Sequence, residues 1–300
     1  MIVVGGEALV DLVPSKSEPG ALLPRLGGGP YNVAVAAGRL GVPTAFLSRI
    51  SADEFGEALV QRLRESNVDT RWLQRGPEPT TLALTSVAAD GSAKYTFYVE
   101  GTADRLFEVP AELPETTILS LGTLSLVLEP GASAYEELMR RSDVLTVLDP
   151  NIRPVLIADP AAYRARFASW LPYVSLLKLS EEDAAWIAQG DPIEAARAWP
   201  GPVVLTRGSN GLAVVTDAGE LVEVPATAAT VVDTIGAGDT VHGALLAWLY
   251  TKDIRTVEQL RGLAANDWRE ALSFAGAAAA ITVSRAGAEP PFAAELALNN

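Results

Sequence analysis

The stretch Asp233-Thr234-Ile235-Gly236-Ala237-Gly238-Asp239 runs straight into a segment of helical period, with Val241, Ala244, Leu245, Trp248 and Leu249 at i, i+3, i+4, i+7 and i+8. The glycines therefore sit in a turn that opens a helix. At such a start the first backbone N–H groups lack partners and the macrodipole is positive, so the turn can hold an anion. Asp239 stands at the same place, where a carboxylate beside a bound phosphate is unfavourable unless it has chemistry to do. Taking the proton from an attacking hydroxyl while the amides hold the transferring phosphoryl group is such chemistry. The expectation is phosphoryl transfer, with Asp239 as base and Gly236, Ala237 and Gly238 as the anion cradle. Two other readings compete. Asp is a good helix N-cap, which alone would account for Asp239. Gly236-Ala237-Gly238 also begins like a dinucleotide fingerprint, but Thr240-Val241-His242 supplies no third glycine and the motif lies late in the chain. No Walker-type Gly-x4-Gly-Lys-Ser/Thr occurs.

A second glycine-rich segment lies near the N-terminus: Gly27-Gly28-Gly29-Pro30-Tyr31-Asn32-Val33-Ala34-Val35-Ala36-Ala37-Gly38-Arg39-Leu40-Gly41. Its glycines permit close approaches closed to other residues. The small residues after Asn32 make a helix that can pack its backbone tightly, ended by Gly41 and Pro43. Asn32 offers two donors and an acceptor at the head of that helix, suited to sugar hydroxyls. A tight turn followed by an ordinary helical Asn would read the same.

In sequence, order and separation the two segments resemble the two signatures of the PfkB (ribokinase-like) carbohydrate kinase family. Further matches are Gly5-Gly6-Glu7-Ala8-Leu9-Val10-Asp11, Asp53-Glu54-Phe55-Gly56, Gly101-Thr102-Ala103-Asp104 and Asp149-Pro150-Asn151-Ile152-Arg153, so the resemblance spans essentially the whole chain. It implies a ribokinase-like three-layer α/β/α sandwich with a mostly parallel central sheet and a small β-sheet lid, in one kinase domain over residues 1–300.

The residues themselves agree with that fold class. Strand candidates are Ile2–Val4, Thr44–Arg49, Ile118–Leu121, Val144–Leu148, Ser175–Leu179, Val203–Thr206, Leu212–Thr216 and Leu221–Val224. Helical periods lie between several of them, as in Phe55, Leu59 and Leu63 with Asp53 as the cap. Continuous apolar strands alternating with helices indicate a parallel sheet covered on both faces. Thr81–Ala88 and Lys94–Val99, joined by Ala89-Asp90-Gly91-Ser92, read as a hairpin, and Leu9–Val13 with Leu22–Leu26 reads likewise. The resemblance makes these short strands, near 9–26 and 81–100, the lid over the sugar site. The Ala-rich tract Ala275 to Ala280 reads as one buried helix.

Of the 300 residues 49% are hydrophobic and 20% charged, enough for a large core. The absence of cysteine excludes disulfides, thiolate metal sites and cysteine nucleophiles, and fits a reducing cytoplasm. A single histidine excludes a multi-histidine metal site, and His242 reads as a helix residue near the site rather than a catalyst. Met1 to Val4 is too short for a signal peptide or membrane span, and no later run suffices, so a soluble cytoplasmic protein without a membrane partner is expected. A net charge of −14 argues against nucleic acid while leaving a metal-bound nucleotide open.

The resemblance carries site roles onto particular residues. Asp11, Gly28, Asn32 and Arg153 would bind the sugar, although a solvated loop acid and a surface ion pair are the plain alternatives for Asp11 and Arg153. Lys178, Thr206, Gly208, Gly211, Gly238 and Gly276 would line the nucleotide. In Lys178-Leu179-Ser180-Glu181-Glu182-Asp183 the family's Asn-x-x-Glu is replaced at both ends. Asp183 is then the Mg2+ candidate, while Ser180 and Asp183 equally fit a helix capping box. Asp233, Ile235 and Ala286 would hold a monovalent cation, K+, through carbonyls. The reading is direct transfer from ATP with Mg2+ to a sugar hydroxyl, the Asp11 and Arg153 segments pointing to fructose and to a fructokinase. A 2-keto-3-deoxygluconate kinase or ribokinase-type kinase is the alternative. The former usually carries an Arg after the lid's aromatic pair, where Phe97-Tyr98 is here followed by Val99 and Glu100. A non-catalytic sugar-binding regulator and a dinucleotide-dependent oxidoreductase are the other classes. A homodimer through the lid is also expected.

Overall fold

The computed structural model describes residues 1–15, 17–18, 20–87 and 93–297. In chain order its strands are β1 (Ile2–Gly5), β2 (Leu9–Pro14), β3 (Leu22–Gly27), β4 (Thr44–Leu47), β5 (Arg49–Ser51), β6 (Val68–Asp69), β7 (Gln74–Gly76), β8 (Thr81–Val87) and β9 (Ala93–Tyr98). They continue with β10 (Ile118–Gly122), β11 (Leu145–Asp149), β12 (Leu176–Ser180), β13 (Val203–Thr206), β14 (Leu212–Val215) and β15 (Leu221–Val224). A nine-stranded sheet has the order β15-β14-β13-β12-β11-β10-β1-β4-β6. Its neighbours are parallel from β6 to β13, and β14 and β15 turn antiparallel at the edge.

Strand alternation builds the layers. Ile2 and Val4 face one hydrophobic cluster and Val3 the other; Val147 and Leu148 divide the same way, as do Val204 and Leu205. One face carries helices α1 (Gly29–Arg39), α2 (Glu54–Glu65), α7 (Ala237–Thr251), α8 (Val257–Arg261) and α9 (Ala265–Val283). The other carries α3 (Gly131–Arg141), α4 (Pro160–Trp170), α5 (Glu181–Ala188) and α6 (Pro192–Ala198). The short α10 (Ala293–Ala297) follows. The expected strands and sandwich are present, with one correction. Thr44–Arg49 divides: β4 joins the main sheet, and β5 pairs with β7 in a two-stranded sheet of its own. Asp53 caps α2 as read, accepting from Gly56 N at 2.7 Å. No described helix is long and apolar enough to cross a membrane.

Strands β3-β2-β8-β9 form a separate four-stranded sheet, with β2 and β8 parallel and the outer pairs antiparallel. The turn Ala89–Ser92, with Ala88, lies outside the described residues. A buried polar network lies where the chain passes between this sheet and the rest. Glu7, between β1 and β2, accepts from Ser125 N at 3.1 Å and from Ser125 Oγ. Thr81, the first residue of β8, donates to Asp104 Oδ1 at 2.5 Å and lies 2.7 Å from Thr102 Oγ1. Burial pushes the Glu7 carboxyl up to about 7 and raises Asp104 as well.

Glu7 therefore holds its proton in the folded state over a range where the unfolded chain, near the ordinary 4.5, has lost it. The folded state binds more protons there, so stability should fall as pH rises from the ordinary carboxylate range to about 7. Glu7→Gln keeps an acceptor for Ser125 and removes the buried charge. Its melting temperature should change less steeply over that range and exceed the wild type at pH ~8 by a few degrees, each kcal/mol being worth roughly 2–4 °C. Parallel pH curves for the two proteins would contradict the assignment.

Candidate active site

The carboxyl ends of β1, β10, β11, β12 and β13 converge beneath the small sheet, at the point where the chain leaves β1 for β4 and later returns to β10. Open α/β sheets bind ligands at such a reversal. A cavity of about 380 Å³ opens there. Two helices aim their N-termini at it, and each starts from a glycine in a conformation that side chains rarely adopt. Gly28 caps α1 at φ 109, where a Cβ would sit 2.7 Å from Glu7 O. Gly236 caps α7 at φ 76, where a Cβ would meet Ala288 at 2.5 Å.

The helix expected after Asp239 begins at Ala237, so Asp239 lies inside its first turn and makes no capping bond. Its Oδ2 instead accepts from Asn32 Nδ2 at 2.8 Å, joining the two helix starts. Capping alone thus does not account for the residue. Burial pushes the Asp239 carboxyl up to about 6, against the opposing pull of the Asn32 bond and the Lys178 charge. Asp11, on β2, is raised to about 6 by burial and by the Asp239 charge, with Arg153 opposing. Ala237 N–H turns back to Thr234 O at 3.3 Å, while Gly238 and Asp239 N–H have no acceptor within the helix.

Asp11, Gly28, Asn32, Arg153, Lys178, Asp183 and Asp239 all line this cavity. Arg153 is not a surface ion pair: it donates to Asn151 Oδ1 at 2.8 Å and to the carbonyls of Asn151 and Ile152, bracing its own loop. Lys178 Nζ donates to Asp149 Oδ2 at 2.7 Å, both side chains being buried. Burial opposes ionisation of Asp149, yet the Lys178 ammonium and His242 outweigh it and hold the carboxyl at about 2. Lys178 also stands over the glycine turn, its Nζ 3.3 Å from where a Gly238 Cβ would be. Ser180 and Asp183 form the expected capping box. Asp183 additionally accepts from Ile152 N at 3.0 Å, so both of its oxygens take backbone donors.

A second cavity of about 410 Å³ adjoins the first, and the two share Thr206, Thr234 and Gly238. Gly208, Gly211 and Gly276 line it with Leu212, Val241 and Val283, which makes it mostly apolar. Arg207 points away, to Glu181 at 2.8 Å and to Glu223. Asp233 takes Ile235 N at 3.1 Å and Gly287 N at 2.9 Å, drawing the segment that holds Ala286 against the turn. Among the described residues no group of three or more His, Cys, Asp or Glu could cage a metal ion.

Sequence reasoning passed over several cavity residues. Thr123, at φ 62, has no motif to mark it. Asn151 also lines the cavity, and the Asp149 to Arg153 motif alone assigns it no role. On β9 the cavity pair is Tyr95 and Phe97, stacked 6.1 Å apart, while Tyr98 is 56% exposed. The period of two in a strand was the signal that would have separated them.

Residues 1–294 match the family model described as pfkB family carbohydrate kinase. A fructokinase from Rhizobium leguminosarum bv. trifolii is 38% identical over 276 residues, 88% of this chain and 84% of that protein. The structure of a fructokinase from Xylella fastidiosa with bound ATP superposes with a TM-score of 0.89 at 27% identity, covering 99% of this chain and 98% of that one. A double mutant of the fructokinase from Vibrio cholerae O395, in a fructose, ADP and potassium ion bound form, gives 0.83 at 25% identity, with 99% and 97% covered. With a family model covering nearly its whole length, the chain belongs to the pfkB family of carbohydrate kinases.

Proposed function

We propose that this kinase transfers the γ-phosphoryl group of ATP to a hydroxyl of fructose. The observation that carries the reading is the meeting of two cavities at one glycine turn. Gly238 faces both, and Asp239 lines only the one beneath the small sheet. A nucleotide in the mostly apolar cavity would lay its phosphates at the free amides of Gly238 and Asp239, with Thr206, Gly208, Gly211 and Gly276 around it. A sugar in the other cavity would rest on Asp11, Gly28 and Asn32. Asp239 takes the hydroxyl proton as the new O–P bond forms and the bond to the ADP oxygen breaks, and Lys178 meets the charge on the phosphoryl oxygens. A carboxyl near 6 is ionised at neutral pH yet more basic than a free one, which suits a base.

Fructose is favoured over an acidic sugar because Lys178 is paired with Asp149 and the Arg153 charge faces Asp11 and Asp239, so each cation lining the cavity already has carboxylates beside it. The fructokinase names among the relatives support the same choice. The donor set fits an Mg2+ carried by nucleotide phosphates and water rather than a protein cage, with Asp183 contributing through water. Bound there, the ion would neutralise phosphate charge. The carbonyls of Asp233, Ile235 and Ala286 would hold K+, a reading supported by the Asp233 bonds and by the potassium-bound Vibrio relative. The chain would act as one cytoplasmic kinase unit with the small sheet as its lid, paired through that lid in a homodimer.

ADP release measured across fructose, 2-keto-3-deoxygluconate, ribose and tagatose tests the substrate, with kcat/KM expected to be highest for fructose. Arg153→Ala should lower turnover of neutral and acidic sugars alike. A loss confined to the keto acid would instead reveal a carboxylate partner, at roughly 2–5 kcal/mol for the unpaired charge.

Asp239→Asn should lower kcat about 10²- to 10⁴-fold while ATP affinity holds or improves. In the wild type kcat/KM should rise with pH through about 6 and then level off, because Asp239 and Asp11 must both lose their protons. Asp11→Asn should leave a single-proton limb and a raised sugar KM. A flat profile from pH ~5 to ~8 would remove Asp239 from the role of base.

A further inference from the structure

His242 is the chain's only histidine and is 1% exposed on α7. Its Nε2 lies 3.1 Å from Ser120 Oγ on β10. Its Nδ1 makes no closer polar contact than Asp149 Oδ2 on β11 at 3.5 Å, longer than a formed hydrogen bond, so that carboxylate is the acceptor it faces. That same Oδ2 receives Lys178 Nζ, the group standing over Gly238. Asp149 Oδ1 has no hydrogen-bond partner among the described residues, so the orientation of the carboxylate rests on what touches Oδ2. A neutral imidazole carries one donor and one acceptor. An ionised carboxylate only accepts, which assigns the proton to Nδ1 and leaves Nε2 to accept from the Ser120 hydroxyl.

We propose that His242 is a positioning residue for phosphoryl transfer: Ser120 holds it as the Nδ1–H tautomer, its N–H fixes the Asp149 carboxylate, and Asp149 fixes the Lys178 ammonium over the glycine turn. The proposal rests on the transfer geometry argued above, and it adds a role for a residue that touches neither substrate. A purely structural histidine would need only to fill volume between α7 and the sheet. This one spans from Ser120 to a carboxylate that already has a full counter-ion, so its polarity serves orientation rather than charge balance. Burial also lowers its basicity, consistent with a ring that stays neutral.

The two amide replacements separate the two nitrogens, because the Asn amide nitrogen falls near Nδ1 and the Gln amide nitrogen near Nε2. His242→Gln should lower kcat about 10- to 100-fold, the scale of a misplaced catalytic group, with both KM values within about twofold. His242→Asn should restore at least about tenfold of that loss, since its N–H again faces Asp149. Ser120→Ala, a milder change, should give a smaller fall in kcat with the same unchanged KM. Because the histidine is unique, nitrogen NMR of 15N-histidine-labelled protein reads its ring without assignment. The expected spectrum at pH ~7.5 is a single neutral Nδ1–H tautomer. An Nε2–H tautomer, a charged ring at pH ~7.5, or equal kcat in folded Asn and Gln variants would overturn the proposal. If the wild type phosphorylated no sugar, the transfer geometry itself would fail, and the tautomer would still decide the contact.

Discussion

Everything at this site depends on how closely α1 and α7 approach. A Cβ at Gly243 would lie 2.6 Å from Ala36 Cβ and 2.8 Å from Val33 O, so the two helices touch almost backbone to backbone. That spacing sets the distance between their N-termini and lets Asn32 reach Asp239. The mid-part of α7 is buried on every side, from Thr240 to Leu249, because α1 and α9 flank it above the sheet. A helix gripped in this way holds its first turn steady, and the steadiness matters because that turn is the shared wall of two cavities.

The charges of the site are sorted by their surroundings. Asp239 is raised by burial and by the Asp149 charge, and Asp11 by burial and by the Asp239 charge, whereas Asp149 is held low by Lys178 and His242 despite its own burial. Carboxyls driven apart in this way take different tasks. Those that stay basic can exchange a proton with a substrate, and the one kept ionised serves as a fixed anion that locates a cation. An acidic protein can therefore present a positive point to phosphate, provided the lysine is placed by a partner that never protonates near neutral pH.

Much of this could be read from the residues. The parallel strands are apolar runs of the right length, and the site residues follow them in order because ligands sit beyond strand carboxyl ends. Gly236 to Asp239 and Gly28 to Asn32 were legible because a positive-φ glycine at a helix start leaves a specific pattern. Other features depend on tertiary context. Nothing in Thr44 to Ser51 says that the strand changes sheets near Ser48, since apolar character does not name a partner. Glu7 owes its position to Ser125, more than a hundred residues further along the chain, and Thr123 faces Gly29, where a Cβ would meet its Oγ1 at 2.5 Å. The bond from Asn32 to Asp239 joins two motifs that sequence could only set side by side.

The outer strand of the small sheet bears on how this molecule avoids joining its neighbours. β3 forms one edge, exposed from Leu22 through Arg25, and Pro24 lies in its middle opposite Leu12. Proline brings no N–H, and a cationic side chain follows it, so the strand is a poor template for a further strand. The sheet ends where it does by chemistry rather than for want of space. Of the sheet's two edges, β3 is thereby the poorer place for another chain to add a strand.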